Sequence, residues 1–122
     1  MNFWTTKQKI SVNVILKEAS TMAKRIPFVF QGYKLMLTCE KYEFYNNTAL
    51  LLETEDGIPF GVASANVVKL PADLVAIKDY SENEGMFDAL YNQKIISAPV
   101  RYIDPGFIKM PVCKIIMKEL LE

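Results

Sequence analysis

Thr48-Ala49-Leu50-Leu51-Leu52-Glu53-Thr54-Glu55-Asp56-Gly57-Ile58-Pro59-Phe60-Gly61-Val62 carries the clearest fold signal in this sequence. Thr48 to Thr54 has strand texture. Asp56-Gly57 is a hairpin turn, because both residue types tolerate the left-handed backbone a tight turn requires. Phe60 to Val67 then resumes strand texture. Strands joined by so short a connection are antiparallel neighbours.

Upstream, Phe28-Val29-Phe30 and Tyr33 to Cys39 read as one or two strands broken near Gly32, and Asn46-Asn47 reads as the next turn. The expectation is an antiparallel meander. Downstream, Pro71-Ala72-Asp73 is a connector and Leu74 to Ile77 a short buried strand. Ser81-Glu82-Asn83-Glu84 has the form of a capping box, so a helix is expected over about residues 82–93, with Met86 and Leu90 facing inward beside Phe87 and Tyr91. Ile95 to Ile103 is a strand weakened by Pro99, Asp104-Pro105-Gly106 a turn, Phe107 to Ile116 a last strand, and Met117 to Glu122 a short helix.

At the other end, Val12, Ile15, Leu16, Ala19, Met22, Ala23 and Ile26 recur at helical spacing. Thr5 or Thr6 caps this helix, Lys24 and Arg25 suit its C-terminal dipole, and Pro27 stops it. Ile10, Val12 and Val14 also alternate, so a short strand over residues 9–16 is the rival reading. The length of 122 residues fits one domain. The expected fold is therefore α+β: an N-terminal amphipathic helix (residues 1–26) on a sheet-rich body (residues 27–122) that carries a second helix.

Chemistry is limited by what the chain lacks. It has no histidine, hence no Ser-His or Cys-His nucleophile pair and no imidazole metal ligand. Its two cysteines, Cys39 and Cys113, are too few for the usual zinc sites and read as free thiols, with a bridge left open. The glycines form no phosphate-binding loop. Counted as a calcium loop from Asp79, the sixth position is Glu84 rather than glycine and the twelfth is Leu90 rather than glutamate. No enzyme activity, cofactor or metal is expected. No apolar run approaches the roughly 18–20 residues of a membrane span, and no secretory signal is visible, so the expected location is a bacterial cytoplasm.

The charge is divided along the chain. Residues 1–41 carry seven basic groups against Glu18 and Glu40, and residues 42–122 carry seven against twelve carboxylates, although the total is zero. A basic lobe facing an acidic one orients charged partners and favours self-association, so a homo-oligomer is compatible with it. Two clusters are candidate partner-binding sites. One is acidic: Asp79, Tyr80, Glu82, Asn83, Glu84 and Asp88. The other is aromatic: Tyr42, Phe44 and Tyr45, beside the Asn46-Asn47 turn. The bland alternatives are a helix-dipole complement for the acids and tucked-in rings for the aromatics.

The stretch Asn46 to Asn66, the run Ala76-Ile77-Lys78-Asp79-Tyr80-Ser81-Glu82-Asn83-Glu84-Gly85-Met86, and Ala89-Leu90, Pro99 and Gly106-Phe107 together resemble a family of small uncharacterised proteins carried by phages and conjugative elements, notably in gut bacteria. The resemblance covers roughly residues 42–116. It implies a mobile-element origin and supplies no catalytic residues. As a class, such proteins often disable host defence by binding it. The expected function is thus a non-enzymatic protein-binding module. It would inhibit a host defence system of the CRISPR or restriction type by occluding a surface on a nuclease or its complex. The alternative is a nucleic-acid accessory protein that lays its basic first helix on phosphates.

Overall fold

A computed structural model describes residues 14–15, 24–106 and 108–121. Within them the chain forms nine strands: β1 (Val14–Ile15), β2 (Ile26–Phe30), β3 (Tyr33–Tyr42), β4 (Thr48–Thr54), β5 (Pro59–Val62), β6 (Ser64–Ala65), β7 (Leu74–Ile77), β8 (Ile96–Ile103) and β9 (Met110–Ile115). One α-helix, α1 (Met86–Asn92), lies between β7 and β8, and short 3-10 turns span Ser81–Asn83 and Lys118–Leu120.

The strands make two antiparallel sheets rather than one meander. In the first, β3 pairs with β4 and β4 with β5, while β1 and β2 share the other side of β3. In the second the order is β6-β7-β9-β8. The division falls inside the stretch expected to be one strand, Phe60 to Val67. Ala63 donates its amide to the Leu50 carbonyl (2.8 Å) in the first sheet and accepts from the Lys78 amide (2.9 Å) in the second. Ala63 is fully buried at this crossing. Beside it, the Ser64 hydroxyl oxygen accepts the Leu50 amide at 3.0 Å, extending the first ladder with a side chain where the backbone has left it.

Turn chemistry sets the hairpins. Gln31 (φ 52°) and Gly32 (φ 82°) form the two-residue turn between β2 and β3, a left-handed pair whose twist matches the strands it joins. At Asp56-Gly57, the Thr54 amide bonds the Ile58 carbonyl, the Gly57 amide bonds the Thr54 carbonyl, and Gly57 is left-handed.

Phe28 and Phe30 of β2, Leu35 and Leu37 of β3, and Leu50 and Leu52 of β4 alternate onto one inner face. They meet Val75, Ile77, Ile96, Cys113 and Ile115 of the second sheet, with Met86 and Leu90 of α1 closing the core. Phe87 packs against its margin and stacks on Tyr91 (centroids 5.5 Å apart), and Tyr91 is largely exposed.

Two local expectations need correction. The capping box is absent: Ser81 is left-handed (φ 55°), whereas an N-cap needs extended backbone, and Glu84 (ψ 130°) breaks the helical path before α1. The helix starts at Met86 instead, and the Asp79 carboxylate accepts the amides of Gly85 (3.0 Å) and Phe87 (3.1 Å). The first helix falls mostly on residues outside those described. Of residues 1–26, Val14 and Ile15 are extended and pair with Tyr42 and Lys41, as the rival strand reading has it, Lys24 and Arg25 lie outside any helix, and Ile26 opens β2. Cys39 and Cys113 are not joined by a disulfide. No helix among the described residues is long and apolar enough to cross a membrane.

Candidate functional site

The aromatic cluster divides by burial. Tyr42, the last residue of β3, is fully buried and cannot anchor a partner. Its hydroxyl pairs with the Ser64 hydroxyl (2.8 Å) and donates to the Ser64 carbonyl (3.2 Å). Burial pushes its pKa up to about 12, the Ser64 hydrogen bond offsets part of that rise, and nearby Tyr80 adds to it. Phe44 and Tyr45, by contrast, are 62% and 48% exposed.

The loop that presents them is tightly tied. The Tyr42 amide bonds the Asn47 carbonyl (2.8 Å), and Tyr45 and Asn46 take the left-handed backbone between them. Asn47 is buried, and its side-chain amide donates to Asn66 Oδ1 (2.8 Å) and the Val68 carbonyl (2.6 Å) while its oxygen accepts the Leu70 amide (2.9 Å). Asn66 donates to the Phe44 carbonyl (3.3 Å) and Lys69 to the Tyr45 carbonyl (3.3 Å). The expected turn at Asn46-Asn47 thus has a second role, as a clamp between residues 43–47 and 66–70.

The acidic cluster divides too. Asp79 is spent on the start of α1. Asn83 is buried and donates to the Val62 carbonyl at 2.7 Å, so it is part of the frame rather than a contact residue. Tyr80 is half-buried, with Lys78 Nζ 5.9 Å from its ring centroid, beside a recess of about 240 Å³ formed with Ile108 and Met110. Glu82, Glu84 and Asp88 remain at the surface, and Lys78 pairs with Glu82 at 3.0 Å.

The two clusters meet at Tyr80, which lies near Tyr42, while the exposed members of each lie toward opposite ends of β3. The Gln31 side chain donates to the carbonyls of Glu82 and Glu84, which places the acidic segment beside the start of β3. Phe44 and Tyr45 follow its end. Ten residues of strand at about 3.4 Å each put these two places roughly 30 Å apart along β3.

Basic and acidic parts of the chain interleave where they are described. Arg25 Nε sits 2.6 Å from Glu53, and its guanidinium also donates to the carbonyls of Thr54 and Glu55. This arginine of the basic stretch is committed to the first sheet and is not displayed for phosphates. Lys114 pairs more loosely with Asp73, at 3.9 Å.

Sequence reasoning missed a cavity of about 170 Å³ at the Gln31 end of the core. Phe30, Tyr33, Leu52, Phe60 and Gly61 form its walls, with Gln31, Glu82 and Asn83 at its polar side. The Tyr33 and Phe60 rings stand 5.2 Å apart at 54°. The available signal was Gly61, a glycine inside a strand, which marks a bulge or a close approach, and the β4–β5 register does shift beside it. Among the described residues, no group of three or more Asp, Glu or Cys side chains is arranged to hold a metal ion.

No family model, curated protein or solved structure matches the chain.

Proposed function

We propose that this chain is a protein-binding module that occludes a surface on another macromolecule, with the Phe44–Tyr45 loop as its anchor. One observation carries the reading: two adjacent aromatics are exposed on a loop whose backbone is held by Asn47, Asn66 and Lys69. Exposed rings on an unfastened loop would lose much of their binding energy to ordering. Rings held in place before the encounter do not, and aromatic anchors dominate interface energetics. The target class we propose, a host defence nuclease or its complex, follows from the expectation that residues 42–116 come from a phage or conjugative element. Glu84 and Asp88, away from the anchor, would steer a basic partner rather than form the contact core.

The test compares wild type with the Phe44→Ala/Tyr45→Ala double variant as baits in a bacterial host lysate, read by quantitative mass spectrometry. The expected result is one nuclease or nuclease complex enriched by wild type and depleted at least tenfold by the variant, with unchanged thermal stability. Equal capture by both baits removes the loop as anchor. A captured set without any defence component removes the target class.

A further inference from the structure

Phe44 and Tyr45 stand between two charges that the chain leaves unmatched. Glu43, just before them, is exposed, and its carboxylate makes no ion pair or hydrogen bond among the described residues. Lys69 is exposed as well, and its ammonium meets a neutral group, the Tyr45 carbonyl, at 3.3 Å. Val68, 38% exposed, extends the apolar surface beside Lys69. At 62%, Phe44 is the most exposed large apolar side chain among the described residues. The patch is thus apolar at its centre, with one anion and one cation at its margin.

We infer that this patch pairs with the same patch on a second copy of the chain, about a two-fold axis. The inference rests on the reading of the loop as an anchor, and it gives that anchor an occupant before any target is met. Charge complementarity selects the second copy. A partner surface of one sign would attract either Lys69 or Glu43 and repel the other. A two-fold axis sets Glu43 of each copy against Lys69 of the other, so that the match is made twice and like charges stay apart. Phe44 and Tyr45 then cover their counterparts, and aromatic pairs gain from contact beyond the area they bury. Little is lost to ordering, because Asn47 and Asn66 already hold the backbone of the loop. Size limits the strength. A few side chains on each copy fall short of the roughly 800 Å² per partner of a stable interface. The pairing is therefore weak, and dilution or a tighter-binding target releases the anchor.

The test is sedimentation equilibrium of the purified full chain at low salt. Wild type is expected to be monomeric near roughly 10 µM and increasingly dimeric toward about 1 mM. Phe44→Ala/Tyr45→Ala is expected to raise the dissociation constant at least tenfold. Lys69→Glu and Glu43→Lys each set like charges opposite one another twice per dimer, and each is expected to weaken pairing at least fivefold. The double exchange Glu43→Lys/Lys69→Glu restores opposite charges across the axis and is expected to pair at least threefold more tightly than either single variant. All four side chains are exposed, so unchanged melting curves are expected throughout. A wild type that stays monomeric over the range, or an aromatic variant that pairs as well as wild type, overturns the inference. Single reversals without effect, or a double exchange no tighter than the singles, overturn it too, because the occupant was chosen by charge. The two readings fail separately. Absence of the dimer leaves the loop free to anchor a target, and equal lysate capture by wild type and the Phe44→Ala/Tyr45→Ala variant removes the target while the dimer stands.

Discussion

The Gln93 side chain pairs with the backbone of Val29 as if it were a neighbouring strand: Gln93 Oε1 accepts the Val29 amide at 3.0 Å, and Gln93 Nε2 donates to the Val29 carbonyl at 2.7 Å. Val29 lies on the side of β2 that faces away from β3. By the alternation of strand hydrogen bonding, Pro27 faces the same way, and proline has no amide to offer. One glutamine and one proline thus seal this edge against strand addition.

Gln93→Ala unseals it. Two hydrogen bonds are lost, at a net cost of about 1–2 kcal/mol in total. Denaturant titration is expected to read that loss, and sedimentation is expected to find concentration-dependent association that wild type lacks at the same concentration. Gln93→Glu can still accept from Val29 but sets a carboxylate oxygen against the Val29 carbonyl, so its loss is expected to be no smaller than that of Gln93→Ala. A Gln93→Ala protein as stable and as dispersed as wild type contradicts the sealing role.

Tyr42 ties stability to alkaline pH. Its folded pKa is raised from 10.0 to about 12, chiefly by burial. The unfolded chain therefore ionises first, so the stabilisation is complete below pH 10 and is lost as pH rises from 10 toward 12. Two units correspond to roughly 3 kcal/mol at most. Cys113, raised from 9.0 to about 12 by burial, begins to add to the same decline above pH 9. Tyr42→Phe is expected to be about 1 kcal/mol less stable at pH 7, through loss of the Ser64 bonds, yet to have a shallower decline between pH 10 and 12. Parallel stability curves for the two proteins over that range would contradict this account.

Asn47 holds the aromatic loop to residues 66–70, and its three side-chain bonds have no substitute in alanine. Asn47→Ala leaves the Leu70 amide and the Val68 carbonyl without this partner, at a cost of about 2–3 kcal/mol. Hydrogen exchange is expected to accelerate at least tenfold more at residues 43–47 and 66–70 than in β3 or β9. Uniform acceleration across the protein would mean that Asn47 supports the fold as a whole rather than clamping the loop.

Local chemistry was legible where one residue decides one turn. Gly32, Asn46 and Gly57 mark turns because the backbone there is left-handed, and the two-residue period of Phe28-Phe30 and Leu35-Leu37 marks an inner face. The split into two sheets was not legible. It depends on Ala63 bonding Leu50 on one side and Lys78 on the other, partners far from it in sequence. The candidate site failed for a related reason. Tyr42, Phe44 and Tyr45 look alike in sequence, but Tyr42 ends a strand with its ring turned inward, while the other two sit past the strand end. Asp79 and Asn83 are as polar as Glu82, yet their side chains are consumed by the amides of α1 and the carbonyl of Val62. The cavity at Gly61 is shaped by four separate segments, and only the glycine itself hinted at it.

The start of α1 separates two rival caps. The sequence pattern puts the cap at Ser81, whereas the hydrogen bonds put it at Asp79, whose one carboxylate oxygen takes the amides of Gly85 and Phe87. Removing a capping side chain costs about 0.5–2 kcal/mol. Asp79→Ala is therefore expected to lose about 1–2 kcal/mol in denaturant titration and to expose α1 amides to faster exchange. Ser81 is left-handed and makes no side-chain cap, so Ser81→Ala is expected to change stability by less than about 0.5 kcal/mol. Ser81→Gly relieves the left-handed strain and is expected to leave stability equal or raise it by up to about 1 kcal/mol. If Ser81→Ala were instead the costly substitution and Asp79→Ala the mild one, the serine would be the cap and the helix would have to begin a turn earlier than Met86.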